Sequence, residues 1–257
     1  DDISKAIEDL KDGGKITIGP GTYETNLVIN KDLKLIGEDM DKVIIDGKKE
    51  NQDVITIGPS SVKTEIENLS VQAALIVERE DDNEEERNIF GIFVDGKATV
   101  ELRKVKIADN QVGIGLKNRS NGKIFDSLIT NNAKGIQLSE FATVRIRDTR
   151  IIGGNTGVYA ANNAKVTLNN CELEGSINGL WLWNQAQATA EDSRFSNFDA
   201  GVSALDNNIV TLRNNTFISV KEMIFTTPIF FGGKIEKSGN KEVESTKKTE
   251  DEGKEQE

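Results

Sequence analysis

The chain has 257 residues, a formal net charge of −11, no histidine and a single cysteine. The acidic balance argues against nucleic acid as a partner, because a basic stripe is the expected footprint. One cysteine excludes an internal disulfide, and no stretch is long and apolar enough to span a membrane.

In chain order, residues 2–11 read as a short helix, with Ile3, Ala6, Ile7 and Leu10 on one face and Asp2 placed to cap its start. Short alternating stretches follow at Lys15–Tyr23, Leu27–Ile29, Leu33–Gly37 and Val43–Gly47, and residues 54–71 match one copy of a later repeat with one extra residue in the first bend. Residues 78–88 carry a run of Glu and Asp and read as a solvated loop insertion. Hard carboxylate ligands of this kind suit Ca²⁺, but the run lacks the alternating Asp/Asn with Gly of a calcium loop, so no metal or other cofactor is expected.

The repeat itself then begins. Gly91, Gly113, Gly135, Gly157, Gly179 and Gly201 stand 22 residues apart without a slip. Each is followed by an apolar–x–apolar step such as Ile136/Leu138 or Leu180/Leu182, then by small–x–apolar–x–apolar such as Ala142/Val144/Ile146. A turn residue comes next (Lys104, Asp126, Asp148, Asn170, Asp192, Asn214), and three positions later an apolar one: Ile107, Ile129, Ile151, Leu173, Phe195, Phe217. Period-2 stretches of this length are short strands, three per repeat, and no repeat can bury its apolar face alone. Stacked turns would sit about 4.8 Å apart, so equivalent residues form ladders. The Asp/Asn column suits a left-handed bend between the second and third strands, and the glycine column is expected to meet the same backbone need before the first. Cys171 falls in an inward ladder with Val105, Ser127, Thr149 and Ser193 and reads as a buried structural thiol. Met223–Phe231 breaks the pattern and reads as a last partial turn plus lid, and residues 232–257 read as a charged, disordered tail.

This all-β pattern resembles the right-handed parallel β-helix superfamily, which includes pectate lyases, polygalacturonases, pectin methylesterases and non-enzymatic surface proteins. The resemblance covers residues 1–231 and implies a single-stranded solenoid of 22-residue coils with an N-terminal capping helix. It also implies a site on the outer face of the first strand, and a secreted, periplasmic or cell-surface location. Two columns face outward there. The third-position column runs Phe93, Gly115, Gln137, Tyr159, Trp181, Ser203, and the fifth-position column runs Asp95, Lys117, Ser139, Ala161, Trp183, Leu205. The polygalacturonase-like Gly-His-Gly element is excluded by the absence of histidine, and no methylesterase-like constellation is recognisable. A lyase-like reading would use Asp95, Lys117, Arg119 and Glu140, although a surface ion pair between Asp95 and Lys117 is the plain explanation of the first two. The aromatic residues point elsewhere: Phe93, Gln137, Tyr159, Trp181 and Trp183 would form a platform for sugar rings, or else Trp183, Leu205 and Phe225 form a patch covered by the lid or a partner. The favoured expectation is a non-catalytic structural or adhesive protein that binds a polysaccharide or surface protein on this face. A polysaccharide lyase-like enzyme acting on acidic polysaccharide is the alternative.

Overall fold

The computed structural model describes residues 2–48, 51–73, 88–226 and 233–244. Three short strands per coil distribute into three parallel sheets of nine, ten and ten strands. Sheet 1 collects the first strand of every repeat (Phe90–Val94, Val112–Leu116, Lys134–Leu138, Thr156–Ala161, Asn178–Trp183, Ala200–Leu205), sheet 2 the second (Thr99–Arg103 onward), and sheet 3 the third (Lys106–Ala108 onward). Register between coils follows the 22-residue period, as in Ile114 opposite Ile136 and Leu173 opposite Phe195. The interior ladder Ile107–Ile129–Ile151–Leu173–Phe195–Phe217 is fully buried, and Phe195 and Phe217 stack with centroids 4.9 Å apart.

The three bends of each coil carry their own columns of left-handed residues. Asp126, Asp148, Asn170, Asp192 and Asn214 have φ of 50–54° at the second bend, as the sequence predicts, and Lys104 joins them at 49°. Two further columns, Asn118/Glu140/Asn162/Asn184/Asp206 and Asp109/Asn131/Gly153/Asn197/Ser219, do the same at the other bends. The glycine column is different. None of its six members has a left-handed φ, and they lie inside the sheet 1 strands. A Cβ on Gly113, Gly135 or Gly157 would stand 2.6, 2.6 or 2.7 Å from the carbonyl oxygen of the next glycine in the column. These positions are glycine because successive coils approach too closely for a side chain, not because the chain must turn there.

Polar groups in the interior are paired by the same ladders. Val105 N–H donates to Ser127 Oγ, Cys171 N–H to Ser193 Oγ, Ser193 N–H to Asn215 Oδ1 and Asn215 N–H to Asn240 Oδ1, at 2.9–3.2 Å. Asn110 and Asn132 form a second buried pair, linked at 2.9 Å. Such side chains satisfy backbone amides that the bends leave without strand partners.

The ends are closed differently. Asp2 accepts from Ser4 N–H and Lys5 N–H and starts the helix Ile3–Asp9, whose Ile3 and Ile7 are buried over the first coil; Ala6, expected on the same face, is exposed. At the other end the coil does not stop at residue 231. Glu222–Thr226 forms the last strand of sheet 1, then Lys234–Ser238 pairs with Ile209–Arg213, and Lys241–Val243 with Thr216–Ile218. The expectation of a disordered segment is therefore wrong for residues 233–244. Their composition conceals this because parallel pairing uses backbone groups, and Ile235 is the one apolar side chain that packs on the core there. The expected lid beyond Thr226, most of the acidic run 78–88 and residues 245–257 lie outside the described residues.

Candidate functional site

Sheet 1 positions the candidate site. Inward residues of its strands (Ile136, Leu138, Leu180, Leu182) are buried, so the residues between them must face out. Coil spacing of about 4.8 Å puts Phe93 about 14 Å from Tyr159 and about 19 Å from Trp181 along the axis. Tyr159 and Trp181, adjacent in register, meet edge to face with centroids 5.2 Å apart and planes at 77°. The contact of these two rings is thus T-shaped, which suits the ring quadrupoles. Burial pushes the Tyr159 phenol above its ordinary range, so it remains a hydroxyl donor. Lys134 completes this part of the strip, with Nζ 5.7 Å over the Tyr159 ring and 3.5 Å from Gln137 Oε1.

A groove of about 450 Å³ opens at the other end of the strip, lined by Asn88, Phe90, Phe93, Asp95, Leu116, Lys117, Gln137 and Ser139. Phe90 and Phe93 stack at 4.9 Å and 18° to form one wall. Phe90 was not singled out from the sequence, yet its signal was present: Gly115 is the one glycine in its outward column. A Cβ on Gly115 would come within 2.4 Å of the Phe90 ring, so the glycine is the seat of that ring.

The four candidates for lyase-like chemistry sort into pairs. Asp95 Oδ1 accepts from Asn118 Nδ2 at 2.6 Å. Lys117 Nζ lies 4.0 Å from Glu140 Oε1, so its ion-pair partner is Glu140 and not Asp95. Arg119 lies over the exposed ring of Phe141, 5.7 Å from its centroid. Glu140 occupies a left-handed bend position homologous within the repeat to Asn118, Asn162 and Asn184. Asp95 and Lys117 share the groove; Glu140 and Arg119 stand on the bend beside it.

Trp183 is 45% exposed and Phe225 43%. Among the described residues neither is covered, and Phe225 pairs with Ser203, which places it in the Trp181 column rather than beside Trp183 and Leu205. Asn162 and Asn184 are joined by a hydrogen bond of 2.9 Å next to Trp183. Elsewhere, Arg147 pairs with Asp148 and lies over Phe125, and Arg150 pairs with Glu172. Cys171 is buried, and desolvation pushes its thiol up to about 11, which removes it as a nucleophile. Among the described residues no group of three or more Cys, Asp or Glu side chains could hold a metal ion, and no helix is long and apolar enough to cross a membrane.

A coil of parallel strands in three sheets, with aromatic and amide side chains on the outer face of one of them, defines a solenoid protein. A family profile described as "Right handed beta helix region" matches residues 55–195, more than half of the chain, and the protein belongs to that family. Similar solved structures include the pectin methylesterase from Yersinia enterocolitica, with 10% identity over 93% of this chain and 89% of that one and a TM-score of 0.57. The pectin methylesterase from carrot gives 11% identity, 95% and 84% coverage and a TM-score of 0.58. DFA-IIIase from Arthrobacter chlorophenolicus A6, in complex with DFA-III, gives 14%, 94% and 78%, and 0.59. At such identities the likeness is one of fold. No curated protein matches the chain.

Proposed function

We propose that this protein binds a glycan along the outer face of sheet 1 and holds it without turnover, as a secreted, periplasmic or cell-surface component. The observation that carries the reading is the strip of partly exposed aromatic and amide side chains, Phe93, Gln137, Tyr159 and Trp181, aligned with the coil axis and continued by Trp183. Aromatic faces pack on the apolar faces of sugar rings while Gln137, Ser139 and the Asn162–Asn184 pair offer hydrogen bonds to hydroxyls. The similar structures include pectin methylesterases and a DFA-IIIase in complex with DFA-III, which agrees with a carbohydrate ligand. Binding rather than catalysis is favoured by the engagement of the charged groups. Glycoside hydrolysis needs two carboxylates flanking one bond, about 5–9 Å apart. Here Asp95 is tied to Asn118, and Glu140 to Lys117. No metal or cofactor enters this reading.

The test is a screen of neutral and acidic oligosaccharides by calorimetry and tryptophan fluorescence, repeated with Trp181→Ala and Tyr159→Ala. Binding should be lost in both variants while the fold is retained. Turnover of any polysaccharide would overturn the non-catalytic part. If a lyase reaction underlies it, rising ultraviolet absorbance from unsaturated uronides would identify the alternative. Binding that survives both substitutions would remove the strip as the site.

A further inference from the structure

The groove at the Phe90–Phe93 wall contains two charged side chains, and their arrangement bears on what kind of glycan it admits. Asp95 is fixed in the groove by the 2.6 Å bond from Asn118, which leaves its negative charge facing the space. Lys117, the cation on the same lining, is drawn toward Glu140 on the neighbouring bend. A ligand carboxylate entering here would compete with Glu140 for Lys117 while standing beside Asp95. Lys134 is the cation nearest the aromatic end, and its ammonium is already directed at Gln137 and the Tyr159 face. The whole protein has a net charge of −11. The remaining polar groups of the lining, Gln137, Ser139 and Asn88, are uncharged.

We infer that the groove selects an uncharged glycan, and that Asp95 is the residue that discriminates against uronates. The inference rests on the binding reading above and adds the charge class of its ligand. A polyuronate presents one carboxylate per sugar to a groove that holds the Asp95 carboxylate, on a protein of net charge −11, and like-charge juxtaposition is a recurring device of specificity. A neutral chain loses nothing by the same approach. Because the groove is open to solvent, the discrimination should be screened by salt, over a length of about 8–10 Å at physiological ionic strength.

The experiment compares galacturonate and mannuronate hexasaccharides with neutral gluco-, xylo- and manno-hexasaccharides and with the methyl ester of the galacturonate hexamer. Affinity is read at low and at physiological salt. At least one neutral oligomer should bind about tenfold or more tightly than any uronate at low salt, a ratio that shrinks as salt rises. Asp95→Asn keeps the acceptor for Asn118 and should raise the uronate-to-neutral affinity ratio by about threefold, the effect of one unit charge several ångströms away in a solvated groove. A uronate that binds as tightly as the best neutral oligomer, or a ratio unmoved by Asp95→Asn, would overturn the inference. If that uronate binding also disappears in Trp181→Ala, the glycan-binding reading stands while the charge class is wrong. If no member of the panel binds, both fall together.

Discussion

Gly135→Ala tests whether the glycine column exists for close approach between coils. The added Cβ would lie 2.6 Å from the Gly157 carbonyl oxygen and 2.6 Å from Ile151 Cγ2. The first neighbour is backbone of the next coil and the second a fully packed core side chain, so neither can yield without opening the ladder. Overpacking of this kind costs about 1–3 kcal/mol, and forcing the coils apart should put the loss at the upper end. Against this stands a gain of about 0.4–1 kcal/mol from a stiffer unfolded chain. The net loss should be about 2 kcal/mol, which lowers the melting temperature by about 4–8 °C for a chain of this size. Two companion variants separate the causes. Gly153→Ala has only ordinary contacts, the nearest at 3.5 Å, but a φ of +83°, so it should lose about 1–2 kcal/mol through backbone strain. Gly19→Ala has neither a left-handed φ nor any atom within 4 Å and should be neutral or slightly stabilising. Urea melts of the three, read by circular dichroism, give the comparison. A Gly135→Ala protein within about 0.5 kcal/mol of wild type, the range of an inert surface change, would refute the close-approach argument.

Phe217→Ala removes one partner of the buried Phe195 stack and should cost about 3–5 kcal/mol, measurable in the same melts. Truncation after residue 232 strips the strands paired to Ile209–Arg213 and Thr216–Ile218 and should lower the melting temperature by several degrees, whereas truncation after residue 244 removes only polar and charged residues and glycine and should leave it unchanged. The Cys171 thiol, raised from 9.0 to about 11 by desolvation, holds its proton more tightly in the folded state than in the unfolded one. Stability should therefore fall as pH rises from about 9 to 11, by about 2–3 kcal/mol at most, and level off above. Cys171→Ser, which matches Ser127 and Ser193 in the same ladder, should flatten that decline; an unchanged pH profile would show that Cys171 is not its source.

The fold was legible because its determinants repeat. Every inward residue of the six regular coils recurs at 22-residue spacing, so a single accidental match carries no weight and the ladder of Ile107 to Phe217 is legible in the sequence alone. The second-bend Asp/Asn column was readable for the same reason. The other two bend columns were less so, because Glu140, Gly153 and Ser219 interrupt their Asn character while keeping the left-handed backbone. The glycine column misled because the two uses of glycine, a left-handed φ and a missing Cβ, look identical in sequence. At the site the outward columns were assigned correctly, since alternation along a strand fixes which side chain faces out. The pairing within them was not. Lys117 stands one coil from Asp95 and on the same column, yet it turns toward the bend and Glu140, a choice made by side-chain torsions that no period encodes. Phe90 was missed because its ring is read from a neighbour's absence: Gly115 makes room for it.

The same logic applies to the last described coil, where the interior columns change character. The interior column of Leu102, Ile124, Ile146, Leu168, Ala190 and Leu212 is continued by Lys237, and the column ending in Phe217 is continued by Glu242. Both charged residues are exposed, so the last described coil offers a backbone ladder to the coil before it and charge on its other side. A further apolar coil stacked there would have to desolvate an ammonium and a carboxylate at positions where every earlier coil supplies aliphatic or aromatic groups, at a cost of several kcal/mol per unpaired ion. Inward-pointing charge is one of the devices by which open sheets avoid edge-to-edge growth. At the other end the helix Ile3–Asp9 does the equivalent work by burying Ile3 and Ile7 over the first coil. The helix at one end and these charges at the other flank the described stack, and the outer face of sheet 1 between them carries the aromatic strip and the groove.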